Sequence, residues 1–200
     1  MVHEHVRDIY TRAARTAFLD REAVRGAGDA ELEQLVGGQR LDSLPAAAGS
    51  VLRLVGGAKG PWFLGERLVL ADADPGGLKE AALGCGTQET GAQLHDTAGM
   101  LVLTCHDGTR YEVVDGCDLS MADPPVWILD GTGDVQKSCG SLTEWFSRAA
   151  DRVVNLSKDV ARRARQGRPT PPWARYFTIS ASTRPGRAGD RTEGGAESRP

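Results

Sequence analysis

The segment 122–146 constrains the fold of this chain more than any other. It reads A-D-P-P-V-W-I-L-D-G-T-G-D-V-Q-K-S-C-G-S-L-T-E-W-F. Its two prolines fix φ and remove backbone donors, so they end the element before them. The apolar runs at residues 126–129 and 135–138 predict two short strands joined by a glycine turn. A capping box formed by Ser141 and Glu144 predicts that a helix follows directly.

Three further helices are predicted upstream from the helical spacing of apolar residues. They cover residues 4–19, 30–36 and 43–55. The third helix has Pro45 in its first turn and ends at the pair Gly56–Gly57, and these positions are typical of helix starts and stops.

After the third helix, the apolar period changes toward that of a β-strand. Residues 62–64 and 67–71 are predicted to pair with each other as short strands. Residues 100–104 and 109–114 are predicted to form a hairpin, because Asp107-Gly108 between them is a strong hairpin turn signal.

The remaining segments carry weaker patterns. The glycine-rich residues 74–99 are predicted to form a long loop with a helical turn near 78–83. The last helix is predicted to run from residue 142 to about residue 165. Residues 166–200, rich in Pro, Gly, Arg, Ser and Thr, are predicted to be a disordered tail. An aromatic island in that tail is expected to dock locally; it consists of Trp173, Tyr176 and Phe177.

These elements predict an α+β fold. The order is N-terminal helices, an antiparallel sheet of about five or six short strands, and a closing C-terminal helix. Residues 1–28 are predicted to be an N-terminal helix and linker, residues 29–165 the α+β domain, and residues 166–200 the tail.

Charge is unevenly distributed along the chain. Residues 66–134 carry 13 acidic and 3 basic side chains, whereas residues 148–200 carry 12 basic and 5 acidic ones. Acidic turns between strands form a surface that attracts a basic protein and repels nucleic acid. The predicted partner contacts are four aspartates in those turns and one tryptophan after a Gly-Pro step: Asp118, Asp123, Asp130, Asp134 and Trp62.

Motifs for catalysis, cofactors and metals are not evident. The glycine motifs do not match nucleotide-binding loops, and the Asp130–Asp134 turn lacks the glutamate of a calcium loop. No apolar run is long enough to span a bilayer, and the N-terminus lacks a secretory signal, so a cytoplasmic protein is expected. An alternative is a small hydrolase or thiol enzyme that uses Cys105 or His106.

Four sequence features together resemble the SUKH superfamily, which includes bacterial immunity proteins and the yeast regulator of cell-wall glucan synthesis. They are the helix at 30–36, L-P-A-A-A-G-S-V-L-R-L-V-G-G from Leu44, D-P-P-V-W from Asp123 and S-L-T-E-W-F from Ser141. The resemblance covers about residues 30–150.

The resemblance implies an α+β binding module that neutralises a toxin, often a nuclease or deaminase, by covering its active site. The function expected from the sequence is therefore a non-enzymatic immunity-type protein without cofactor or metal. A regulatory scaffold that binds a cellular protein through the same sheet is the alternative within this class.

Overall fold

The computed structural model describes residues 1–71, 74–85 and 94–178, and their fold is α+β. Helices occur first, a five-stranded antiparallel sheet follows, and a long helix closes the domain. The elements are α1 (Val2–Thr16), α2 (Asp29–Gly38), α3 (Ala46–Val55), β1 (Arg67–Leu68), α4 (Pro75–Gly84), β2 (Leu101–His106), β3 (Arg110–Val114), β4 (Val126–Asp130), β5 (Val135–Cys139) and α5 (Leu142–Arg165). No helix in these ranges is long and apolar enough to cross a membrane.

The sheet is a meander in which consecutive strands are neighbours, in the order β1-β2-β3-β4-β5. The predicted hairpin of β2 and β3 is confirmed, with His106 opposite Arg110 and Leu101 opposite Val114. The sheet therefore has two distinct ends. The hairpin end holds the β2–β3 turn (107–109) and the β4–β5 turn (131–134), and the connection end holds the β3–β4 connection (115–125).

Helix α5 begins as the capping pattern predicts. The Ser141 hydroxyl accepts the backbone N–H of Glu144 at 3.1 Å. The Glu144 carboxylate accepts the backbone N–H of Gly140 at 2.7 Å, one residue before the position that a capping box specifies. The helix then packs along α1, and this packing joins the N-terminal segment to the rest of the fold.

The core between these helices contains stacked aromatic rings. The ring of Trp62 lies 5.5 Å from that of Tyr10 and 4.8 Å from that of Phe146, and Phe63 stacks on Trp145 at 4.7 Å. These contacts join α1, the segment before β1 and α5 in one hydrophobic core. Residues 1–28 thus share the core of the α+β domain.

The predicted strand pair at 62–64 and 67–71 is wrong. Residues 62–64 form turns, and β1 pairs with β2 instead, with Leu68 opposite Thr104. Phe63 has φ of +52° and Gly65 has φ of +86°, and neither value is compatible with an extended strand.

The predicted long loop at 74–99 is wrong over its first part, whereas the helical turn predicted near residues 78–83 is confirmed as part of a longer helix. Residues 75–84 form α4, which Asp74 caps by accepting the backbone N–H of Gly77 at 2.9 Å. Three glycines in this helix weaken the sequence signal, because glycine is a poor helix former. Residues 86–93 of the predicted loop lie outside the described residues.

The predicted disorder of the tail does not hold for residues 166–178. Residues 172–176 form a 3-10 helix, and Phe177 forms an antiparallel bridge with Leu19. The backbone N–H of Asp20 donates to the carbonyl of Tyr176 at 2.9 Å. The predicted local docking of the aromatic island is therefore confirmed, and residues 179–200 lie outside the described residues.

Candidate binding site at the hairpin end of the sheet

The four predicted aspartates lie at opposite ends of the sheet. Asp118 and Asp123 belong to the connection end, whereas Asp130 and Asp134 bracket the turn between β4 and β5 at the hairpin end. A five-residue strand spans about 17 Å, so the two pairs cannot form one continuous acidic patch. The prediction of a single face is corrected to two separate sets, because a meander places successive connections at alternate ends.

Trp62 is not an accessible contact. Its side chain is 0% exposed, since it fills the space between Tyr10 and Phe146. The Gly60–Pro61 step before it forms a turn that directs the indole into the core rather than to the sheet edge. The predicted role of Trp62 in partner binding is therefore corrected to a role in core packing.

Carboxylates at the connection end bind backbone donors. Asp115 is 1% exposed and accepts the N–H groups of His95, Asp96 and Cys117 at 2.6, 2.8 and 3.3 Å. Burial alone raises the pKa of Asp115, but these hydrogen bonds outweigh it and hold the pKa below the usual value. Asp123 accepts the N–H of Thr143 in the first turn of α5 at 2.9 Å. These carboxylates stabilise the connection rather than present a charged surface.

Carboxylates at the hairpin end face solvent. Asp107 is 81% exposed beside His106, and Asp134 is also exposed. Asp130 accepts the hydroxyl and N–H of Thr132 and the N–H of Asp134 through one oxygen, at 2.7, 2.8 and 3.0 Å. Asp107, Asp130 and Asp134 are called the hairpin-end carboxylates below.

A pocket of about 200 Å³ lies next to these turns, between the sheet and α5. Arg110 links this pocket to the β4–β5 turn. It lines the pocket, and it lies opposite Asp130 in the register of β3 and β4. This carboxylate pocket is lined by Glu66, Thr104, His106, Arg110, Glu112 and Arg152.

Glu112 is held in a fixed position in the carboxylate pocket. One of its oxygens accepts the hydroxyl of Thr104 at 2.9 Å and the indole N–H of Trp145 at 2.7 Å. Thr104 and Glu112 lie directly opposite each other on β2 and β3, so the sheet register itself sets this contact. The pocket therefore contains a carboxylate whose orientation is set before any ligand arrives.

Glu66 is a largely buried ionisable group of this pocket, with a side chain 15% exposed. Its Oε1 accepts an N–H of Arg152 at 2.9 Å, whereas its Oε2 is buried without a hydrogen-bond partner among the described residues. Burial raises the pKa of Glu66; Arg152 opposes this effect and Glu112 adds to it. An unpaired buried oxygen is costly, so a donor that reached it would stabilise the ionised carboxylate.

Cys105 and His106 are not brought together. Cys105 is 1% exposed, and its side chain points to the sheet face opposite that of His106, because adjacent strand residues alternate. Burial raises the pKa of Cys139, and burial together with Asp115 raises the pKa of Cys117 to about 11. A raised pKa lowers the thiolate fraction, which opposes nucleophilic use of these thiols. The residues that the structure describes contain no group of three His, Cys, Asp or Glu side chains that could hold a metal ion.

Sequence reasoning did not select the carboxylate pocket. Part of the pocket does have a sequence signal. Thr104 and Glu112 are polar residues inside the two predicted strands of the hairpin, and the position of the Asp107-Gly108 turn places them opposite each other. Glu66 and Arg152 are 86 positions apart, and nothing in the sequence indicates their contact.

Comparisons of this chain with protein-family models, curated proteins and solved structures found no match. The resemblance to the SUKH superfamily therefore stays a prediction from sequence motifs.

Proposed function

We propose that this protein is a non-enzymatic, immunity-type binding protein that neutralises a basic toxin domain, such as a nuclease or deaminase, with the hairpin end of its sheet. The observation that carries this proposal is the placement of the hairpin-end carboxylates beside the carboxylate pocket. Exposed acidic turns and an incompletely paired buried carboxylate then occupy one end of the molecule.

Electrostatics supports a basic partner. A toxin that acts on nucleic acid binds phosphates with lysine and arginine, so its active-site surface is positively charged. Carboxylates on short turns at one end of a protein attract such a surface and speed association. The same carboxylates repel nucleic acid, which favours a protein partner.

The rigidity of the site supports tight binding. Asp130 hydrogen-bonds within its own turn, and Glu112 is fixed by Thr104 and Trp145. Groups that are already ordered lose little conformational entropy on association. Asp130 and Glu112 therefore present their charges in fixed positions.

The test uses purified toxin domains encoded beside the gene for this protein, with affinity measured by titration calorimetry at two salt concentrations. Replacing both Asp107 and Asp134 with lysine should weaken binding by about tenfold or more and reduce its salt dependence. Asp118→Lys at the connection end is the matched control and should change affinity less than about twofold. Unchanged affinity and salt dependence in the double variant would refute the proposed surface.

An activity assay separates neutralisation from mere binding. The wild-type protein should inhibit the nuclease or deaminase activity of the toxin domain in a one-to-one mixture. Binding that leaves the toxin fully active would instead indicate a regulatory scaffold.

A further inference from the structure

A second cavity adjoins the carboxylate pocket on the other side of Arg152. Its volume is about 370 Å³, and it lies between the segment before β1 and the middle of α5. Arg152 and Asp159 are among its lining residues. This apolar slot is lined chiefly by Pro61, Phe63, Leu64, Asn155 and Leu156.

Arg152 lines both cavities, so the two lie along one path beside α5. Its side chain is 52% exposed, and it bonds to Glu66 through a single nitrogen. Arg152 is half exposed, whereas Glu66 is largely buried. A ligand that moved Arg152 aside would therefore have to supply Glu66 with a replacement donor, because an unpaired buried carboxylate is costly.

We propose that the carboxylate pocket and the apolar slot form one groove that receives a segment of the toxin domain in which a basic side chain is adjacent to a large apolar one. The basic side chain enters between Glu66 and Glu112, and the apolar side chain enters the slot. This inference rests on the proposed function, whose partner it describes in finer chemical detail.

The depth of the charged groups favours a basic side chain. The carboxylates of Glu66 and Glu112 are less exposed than the guanidinium groups of Arg110 and Arg152, so carboxylates form the floor of the pocket and arginines its rim. The Glu66 oxygen that has no hydrogen-bond partner among residues 1–71, 74–85 and 94–178 belongs to that floor. An ammonium or guanidinium group supplies the donors that the floor lacks, and charge-assisted hydrogen bonds are the strongest of their kind.

The arginines at the rim suit the main chain of the same segment. Arg110 and Arg152 carry guanidinium N–H groups, which donate hydrogen bonds and cannot accept them. Carbonyl oxygens of an extended segment are acceptors. A peptide whose side chain reaches the floor therefore places its carbonyls at the level of the rim.

The apolar slot is rigid and partly open. Leu64 is 39% exposed, and Phe63 adopts the left-handed conformation at φ +52°. Lys59 holds this turn by donating from Nζ to the carbonyl of Phe63 at 2.9 Å and to the carbonyl of Glu66. A slot already held in shape is suited to binding an apolar side chain at low entropic cost.

The test uses two blocked dipeptides, acetyl-Leu-Arg-amide and acetyl-Leu-citrulline-amide, which have nearly the same shape but differ in charge. They are titrated into the full ¹⁵N-labelled chain and followed by the tryptophan indole N–H resonances. The Trp145 indole reports on the pocket because it donates to Glu112, and the Trp173 indole in the C-terminal segment is the internal control. The arginine peptide should shift the Trp145 resonance with a dissociation constant on the order of 1 mM, and the citrulline peptide should bind about tenfold more weakly.

Two variants test which part of the groove binds the basic side chain and which part binds the apolar one. Glu66→Gln should remove the preference for arginine over citrulline, whereas Leu64→Ser at the exposed slot should weaken both peptides equally. Glu80→Gln, an exposed position on α4, is the matched control and should behave as the wild type. Equal binding of the two peptides by the wild type, or shifts at Trp173 without shifts at Trp145, would overturn the proposal.

The outcome is separable from that of the proposed function. If the peptides fail to bind but reversing Asp107 and Asp134 weakens the toxin domain, the groove is refuted and the hairpin-end surface stands. If the peptides bind as expected but charge reversal leaves the toxin complex unchanged, the groove stands as a site for basic peptides and the hairpin-end surface is refuted.

Discussion

The two ends of the sheet use the same residue type for different purposes. At the connection end, Asp115 is buried and accepts three backbone N–H groups, and Asp123 accepts one from the start of α5. At the hairpin end, Asp107 and Asp134 are exposed. Aspartates are frequent in turns in both cases, so their frequency does not distinguish a structural carboxylate from one available to a partner.

The backbone donors at each end explain the difference. The 115–125 connection is irregular and meets residues 94–99, so several N–H groups there have no strand partner and need side-chain acceptors. The two hairpin turns are short, and Asp130 satisfies the donors of its own turn. The neighbouring carboxylates at that end remain directed to solvent.

The largest effect is expected from Asp115→Ala. This substitution leaves three N–H groups without an acceptor, and it should lower the free energy of unfolding by about 3 kcal/mol. Asp134→Ala at the hairpin end is the matched control, because its side chain is exposed, and should change it by less than about 0.5 kcal/mol. Urea unfolding followed by tryptophan fluorescence measures both, and similar values for the two variants would remove the distinction between the ends.

A smaller, pH-dependent effect arises from the same residue. Because the pKa of Asp115 is lower in the folded than in the unfolded chain, its contribution is complete above the unfolded pKa of about 4 and is lost as pH falls through the folded value. Stability measured between pH 6 and pH 3 should therefore fall more steeply for the wild type than for Asp115→Asn. Parallel curves would contradict the assigned hydrogen bonds.

Asp123→Ala tests the start of α5 and should have a moderate effect. It removes the acceptor for the N–H of Thr143, a loss comparable to that of a helix cap, so stability should fall by about 1 kcal/mol. Asp134→Ala, exposed at the other end, should lie within about 0.5 kcal/mol of the wild type. Thermal unfolding by circular dichroism compares them, and a larger loss for Asp134→Ala would contradict the account.

The smallest effect is expected from Glu66→Gln in the carboxylate pocket. Because burial raises the pKa of Glu66 in the folded chain, its protonated form stabilises the fold at low pH, and this contribution is lost as pH rises through the folded pKa. The wild type should therefore lose stability relative to Glu66→Gln between pH 4 and pH 8. The urea midpoints of the two proteins are compared across this pH range. A wild type that instead gains stability relative to Glu66→Gln as pH rises would show that Glu66 is not desolvated.

Local signals in the sequence predict much of the fold. The start of α5 follows from Ser141 and Glu144, and the β2–β3 hairpin follows from Asp107-Gly108, because both signals act over a few residues. The turn at 62–64 and the docking of residues 166–178 depend on contacts distant in sequence, such as Leu19 with Phe177 and Trp62 with Tyr10. No local pattern predicts such contacts.

The candidate site is predictable only in part for the same reason. The acidic turns are evident in the sequence, but their division between two ends requires the strand order. The pairing of Glu66 with Arg152 requires the packing of α5 against the segment before β1. The burial of Trp62 likewise depends on helix packing.

The measurement that tests the central claim most directly is hydrogen–deuterium exchange of the full chain, free and bound to a purified toxin domain encoded beside its gene. The account predicts that binding slows exchange of amides in residues 106–110 and 130–135 and leaves residues 115–123 unchanged. Protection confined to residues 115–123, with no change in the two hairpin turns, would contradict it.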